Sequence, residues 1–194
     1  MTAETAGYPV QFDVDEVAAQ NRLSILFRWL LVIPHVIIIE LLGIALGVVT
    51  LLAWFTIVFV GRYPASMLRF AIGVSRWTAR VSAYAALLTG RYPPFSLEEE
   101  GDYPARLLVE ERSEDRNRLT TFFRAILIIP HGIVLWFLGL AASFVILATW
   151  LVALIVGRVP EGLHNFLLAY TVWTERVNAY GALLVDEYPP FSFR

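Results

Sequence analysis

The chain has 194 residues, 58% of them hydrophobic and only 16% charged, with a formal net charge of −2. Its mean hydropathy is +0.63. Soluble domains average about 45–50% apolar and about 25% charged residues, so a soluble chain of this size has no interior large enough for the apolar excess. This excludes an ordinary soluble enzyme and a disordered tail, and the absence of a basic excess excludes a nucleic-acid module. There is no cysteine, which removes disulfides, thiol catalysis and thiolate-bound metals. The cations are all arginine, with no lysine, a usage that points to a GC-rich, bacterial genome.

Residues 1–21 hold Glu4, Asp13, Asp15 and Glu16 but no cation, which is not the pattern of a secretory signal peptide. Val10, Phe12 and Val14 alternate with Gln11, Asp13 and Asp15, predicting a strand over 8–15. An apolar run follows over 22–60. Pro64 then opens an amphipathic helix over 64–90, a favoured place for proline. Tyr92-Pro93-Pro94-Phe95 stops it, because paired prolines cannot continue a helix.

The same order then recurs. Shifting the sequence by 96 aligns 21–96 with 117–192 without a gap, and 35 of 76 positions are identical. Asn21-Arg22-Leu23 returns as Asn117-Arg118-Leu119, Ile33-Pro34-His35 as Ile129-Pro130-His131, and Gly61-Arg62-x-Pro64 as Gly157-Arg158-x-Pro160. Trp77-Thr78-x-Arg80-Val81-x-Ala83-Tyr84 returns as Trp173-Thr174-x-Arg176-Val177-x-Ala179-Tyr180. Such a match marks a duplication. The first repeat occupies 1–97. Residues 98–116 form a charged linker with a second, weaker strand (Ala105, Leu107, Val109), one residue out of register with the first. The second repeat occupies 117–194, with its apolar run at 118–156 and its amphipathic helix at 160–186.

A spanning helix needs about 20 apolar residues, and each run is far longer. It fits either one long helix after an interfacial entry, or a tight helical hairpin turning near Gly43–Gly47, with Gly139 the matching glycine in copy two. The arginines favour the hairpin, because one span per copy would place equivalent arginines on opposite faces, against the positive-inside rule. The expected fold is therefore an all-α membrane protein. Each copy is a transmembrane or re-entrant helical hairpin plus an amphipathic interfacial helix, with a short β-strand before each hairpin.

These motifs, in this order, resemble the DUF4389 family, bacterial membrane proteins of unknown function that often carry tandem copies. The resemblance spans about 8–96 and 103–193. It implies a membrane location and brings no catalytic residue.

Among polar candidates, His35 and His131 each follow a proline. The duplication could bring them together as metal or haem ligands, but two histidines without a recurring carboxylate make an incomplete zinc site. They also share a stripe with Asn21 and Arg28, or Asn117 and Arg124, which reads as the headgroup-facing side of an entering helix. Glu40 is the one acid within an apolar run, with Trp136 at its place in copy two, and fits either intramembrane chemistry or local pairing. Arg28, Arg62 and Arg80, repeated as Arg124, Arg158 and Arg176, are candidate contacts to anionic lipid or to a partner, since guanidinium chelates phosphate well.

The expectation is a non-catalytic integral protein of the bacterial inner membrane, both termini cytoplasmic, acting as a scaffold, accessory or regulatory subunit. Its expected partners are membrane lipids and a membrane protein or a second copy, with no nucleic acid, metal or cofactor. The alternatives are an anionic-lipid-binding or small channel-like homo-oligomer, and a redox subunit ligated by His35 and His131.

Overall fold

The computed structural model describes residues 7–15 and 20–193; Glu4 and Glu16 lie outside the described residues. Strand β1 (Val10–Val14) is followed by a short helix α1 (Arg22–Leu26), the long apolar helix α2 (Arg28–Val60) and helix α3 (Ala65–Ala85). The second copy gives strand β2 (Ala105–Val109), short helices α4 (Arg118–Phe122) and α5 (Arg124–Leu127), the apolar helix α6 (Ile129–Val156) and helix α7 (Glu161–Gly181). The alternation of the first strand holds: Val10 and Phe12 are buried and Gln11 is exposed.

Past its short entry helices, each apolar run is one rod of helix, which corrects the expected hairpin. Gly43 and Gly47 lie inside α2 without a turn, and Gly139 lies inside α6. The runs hold no Asn-Gly, Asp-Gly or paired proline at mid-length. A continuous helix keeps each backbone N–H bonded within its own segment, the only economical solution in apolar surroundings. Pro34 sits inside α2, whereas Pro130 sits at the start of α6, just past a short break at Ile128. Both rods stop at a glycine in the left-handed region, Gly61 with φ 83 and Gly157 with φ 80. There the cap N–H returns to the Ile57 or Ala153 carbonyl.

The two strands pair antiparallel, with Val10 opposite Val109, Phe12 opposite Leu107 and Val14 opposite Ala105. This register is symmetric about the Phe12–Leu107 pair, so a pseudo-two-fold axis passes through it, perpendicular to the ribbon. The same symmetry governs the helices. β1 packs on α7 and β2 on α3; α3 packs on α2 and α7 on α6. The result is three layers: the ribbon, the α3/α7 pair, and the α2/α6 pair.

The copies are interlocked rather than strung in series. α1 packs against α6 of the other copy, and α4 against α2. Asn21 and Asn117 cap the short helices with their side chains, on the Leu23 and Thr120 N–H groups. The arginine after each asparagine reaches the end of the other copy's rod. Arg118 donates to the Val60 carbonyl at 3.1 Å, and the Arg22 guanidinium lies against Gly157.

α2 docks along its whole length through one stripe. Arg28, Val32, His35, Ala53 and Ile57 are buried, with Ile39, Leu42, Leu46 and Val49 half-buried between them. This is the i, i+3, i+4 spacing of a single helical face. α6 repeats it with His131, Ala142, Thr149 and Ala153. The other faces are apolar and bare, among them Leu30, Ile37, Leu41, Ile44 and Phe59 on α2 and Phe137, Leu140, Phe144 and Ile155 on α6. Both rods are long and apolar enough to cross a membrane.

Candidate functional site: two aromatic histidine boxes and their arginine clasps

His35 and His131 occupy equivalent, separate boxes. Both are fully buried. His35 lies flat on Phe95, ring centroids 3.9 Å apart at 12°, with Tyr92 at 4.9 Å and the edge of Trp77 at 5.9 Å. His131 lies on Phe191 at 3.9 Å and 12°, with Tyr188 at 4.8 Å and Trp173 at 5.9 Å. The indole N–H of Trp77 donates to His35 Nδ1 at 3.1 Å, and that of Trp173 to His131 Nδ1 at 3.2 Å. A ring that accepts at Nδ1 carries its proton on Nε2 when neutral. His35 Nε2 is buried without a hydrogen bond among the described residues.

The boxes account for three of the repeated motifs together. The Pro-His of each rod, the Trp of α3 or α7, and the Tyr-Pro-Pro-Phe segment fold onto one another, and the prolines hold that segment extended across the imidazole. The duplication does not bring the two histidines together. Nor do three or more His, Cys, Asp or Glu cluster as a metal site among the described residues.

About two turns before each histidine lies a buried arginine. Arg28 is 1% exposed and donates to the Tyr84 carbonyl at 2.6 Å, the Thr89 carbonyl at 3.0 Å and Gln20 Oε1 at 2.7 Å. Its guanidinium also lies 4.3 Å over the Tyr84 ring. Arg124 repeats this on the Tyr180 and Val185 carbonyls, 3.8 Å over Tyr180. Each thus clasps the C-terminus of α3 or α7, where carbonyls lack helical partners and a positive charge is favoured. The clasp coincides with a backbone inversion at Leu87 (φ 59) and Leu183 (φ 61), conformations that a leucine holds only where surrounding contacts enforce them.

The copies differ in how the clasp is closed. In copy one, Gln20 donates to the Leu87 carbonyl at 2.9 Å. In copy two, Arg116 donates to the equivalent Leu183 carbonyl at 2.6 Å. It also grips Asp186 through two bonds of 3.0 Å, and Asp186 is shared with Arg124 at 3.1 Å. Arg116, in a segment expected to be a solvated linker, is therefore buried. Its charge is compensated by Asp186, and three carbonyls, of Arg112, Leu183 and Leu184, with both Asp186 oxygens replace its water.

Arg80 and Arg176 are also internal, which corrects their expected role as lipid contacts along with that of Arg28 and Arg124. Both are 3% exposed. Arg80 donates to the Glu98 carbonyl at 2.9 Å and to the Ser96 carbonyl, and Arg176 lies 5.6 Å over the Tyr8 ring. Burial holds both guanidinium groups below their ordinary pKa. The helices expected over 64–90 and 160–186 run over Ala65–Ala85 and Glu161–Gly181 and form a packed middle layer. Leu68, Ala71, Ile72, Trp77 and Tyr84 of α3 are buried, because ribbon and rod cover opposite faces of it. Of the six arginines expected to contact lipid or a partner, Arg62 and Arg158 are exposed, each just beyond a rod's terminal glycine. Arg62 lines a polar recess with Glu114, Asp115 and Arg118. Glu40 is exposed on α2, and Trp136 is 67% exposed at its place on α6.

Three features had no sequence reading. Trp54 and Trp150 recur in the alignment without a local reason. Tyr8-Pro9 and Tyr103-Pro104 recur with the strands' offset; Tyr8 donates to the Glu187 carbonyl at 3.2 Å and Tyr103 to that of Arg91 at 2.9 Å. Glu175 is buried on α7, and burial pushes its carboxyl up to about 8. The signal for it was the variable position in Trp-Thr-x-Arg, where copy one has Ala79.

Fold and site define a duplicated protein whose two halves exchange entry helices about a pseudo-two-fold axis and each close a histidine box. The sequence profile of DUF4389, a domain of unknown function, matches the chain twice, at residues 22–96 and 118–192. The chain belongs to that family. No curated protein and no solved structure matches it.

Proposed function

We propose that this is a non-catalytic membrane protein of the bacterial inner membrane. The α2/α6 pair is embedded in the bilayer, and the ribbon and 98–116 segment are held at its surface for a protein partner, as in an accessory or scaffolding subunit. The observation that supports this most is the division of labour among the residues. The two rods leave apolar side chains uncovered along their length, from Leu30 to Phe59 on α2 and from Ile133 to Ile155 on α6, whereas a soluble monomer keeps such patches small. At the same time Arg28, His35, Arg80 and their duplicates are committed to internal contacts. A chain that spends its repeated polar residues on holding one shape is suited to presenting a surface.

The experiment is membrane fractionation followed by native mass spectrometry of the gently solubilised protein. Retention after alkaline carbonate, with a stoichiometric protein partner, is the expected result. Retained anionic lipid without a protein favours the lipid-binding alternative, which now rests on Arg62 and Arg158. Recovery in the soluble fraction overturns the membrane reading.

A further inference from the structure

We infer that both rods lie in the plane of the membrane, seated in a single leaflet, with the pseudo-two-fold axis along the membrane normal. This rests on the membrane reading above and adds its geometry. The occupant of the bare α2/α6 face is the acyl layer of one leaflet.

Each rod is docked lengthwise on α3 or α7, and the ribbon covers the far side of that middle layer. If α2 crossed the bilayer, it would carry the polar face of α3 into hydrocarbon with it. That face holds exposed Arg69 and the Arg76–Glu99 ion pair, 2.8 Å long with Glu99 54% exposed. Charges in hydrocarbon are costly at any such depth. In the plane, the apolar layer faces the acyl chains while the ribbon and the 98–116 segment face water.

The ends of the rods agree. α2 finishes beside the entry to α6, at Arg118, and α6 finishes beside the entry to α2, at Arg22. The rods therefore run in opposite directions. Spanning would put Arg62 and Arg158 on opposite surfaces of the bilayer, whereas lying in the plane puts both on one surface, as the positive-inside rule favours.

Length and charge placement agree as well. A helix of 33 residues is about 50 Å long at 1.5 Å per residue, against a hydrocarbon core of about 30 Å. Glu40 stands about 18 Å along α2 from Arg28 by the same rise, which is mid-bilayer for a spanning rod. On the helix it lies on the flank shared with Trp29, about 100° from the docked stripe at 100° per residue. A flank of an in-plane helix can reach headgroup level. Trp136 holds the same flank in α6, and tryptophan is favoured at that level.

The chain has no native cysteine, so single-cysteine variants report cleanly. Arg62→Cys and Arg158→Cys, both at exposed sites, are treated with a membrane-impermeant maleimide in sealed spheroplasts and in inverted vesicles. The expected result is that both label from the same side and neither from the other. Labelling from opposite sides overturns the inference and leaves the membrane reading standing. Recovery of both in the carbonate supernatant overturns both. In phosphatidylcholine/phosphatidylglycerol vesicles, bimane on Leu30→Cys, Val48→Cys and Phe59→Cys is quenched by bromolipids of defined depth. Equal, shallow depth for all three is expected. A graded depth, deepest at 48, means a spanning rod, and absence of quenching with a dimeric mass means a second copy covers the face; either overturns the proposal.

Discussion

The indole N–H of Trp54, near the end of α2, donates to the backbone carbonyl of Thr121 in the other copy at 3.0 Å. Its duplicate, Trp150, donates to the carbonyl of Ile25 at 2.7 Å. The two bonds are one interaction made twice across the pseudo-two-fold axis, and they fasten each rod to the entry helix of its counterpart. Thr121 and Ile25 lie in the last turn of a short helix that breaks before its rod, where carbonyls lack the full set of helical partners.

Replacing Trp54 or Trp150 by Phe removes the donor and keeps most of the ring. Each single change is expected to cost about 1 kcal/mol, and the pair to cost about the sum, because the two sites are distant. Thermal unfolding of the purified protein in neutral detergent measures this. A double variant as stable as the parent would show that the bonds do not hold the copies together.

Arg28→Gln and Arg124→Gln each strand a set of buried carbonyls, and for Arg124 also the Asp186 carboxylate. For Arg124 a loss of roughly 3–5 kcal/mol is expected, as for breaking a buried charged pair, and for Arg28 a loss of about 1–3 kcal/mol for each buried acceptor left unsatisfied. Arg80→Gln with Arg176→Gln should likewise lower stability in neutral detergent. Arg62→Gln and Arg158→Gln should stay within about 0.5 kcal/mol, as exposed substitutions do. Melting curves for the three sets should therefore separate cleanly, and a destabilised Arg62 variant beside a stable Arg28 variant would invert the assignment.

For the histidine boxes, His35→Gln with His131→Gln leaves an acceptor for each Trp indole, whereas the double Phe variant strands the indole N–H. The Gln pair is expected to insert and fold. The Phe pair should be less stable by about 1–3 kcal/mol per box, the cost of an unsatisfied buried donor, with a shifted tryptophan emission. Loss of a bound metal, haem or activity in the Gln pair would instead assign the imidazoles a chemical role.

Glu175 gives a pH dependence with a definite sign. Burial raises its carboxyl from the ordinary 4.5 to about 8, so the folded chain keeps a proton that the unfolded chain releases. Below about pH 4.5 both states are protonated and the group costs nothing in ionisation. Between 4.5 and 8 stability falls as pH rises, and above about 8 it levels once both states are ionised. The full excursion is on the order of a few kcal/mol. Glu175→Gln should flatten this stretch of the stability–pH curve and leave the protein more stable than the parent at pH 8.

Much of the protein was legible in the sequence because it depends on local pattern. The duplication, the apolar runs at 22–60 and 118–156, and the strand alternation at Val10, Phe12 and Val14 are short-range chemistry, whereas the helices end at Ala85 and Gly181, ahead of the expected Tyr-Pro-Pro-Phe stops. Periodicity and turn residues report that chemistry directly. The one-residue offset between the strands was also visible, and it is the offset that lets Phe12 face Leu107 on the axis. What pattern could not supply was which surface each side chain meets. Arg28 and Arg62 carry the same charge at the same kind of boundary, yet one is enclosed by the carbonyls of Tyr84 and Thr89 and the other is bare. Only the return of the chain after Ala85 decides between them. The hairpin failed for a related reason: the distribution of arginines constrains which side of a membrane they occupy, not the path between them. A rod lying along its own body satisfies that constraint without turning. Sequence alone determined what must leave water; the tertiary structure decided which arginines stayed in it, because burial of a charge depends on acceptors delivered from 56 or 61 residues away.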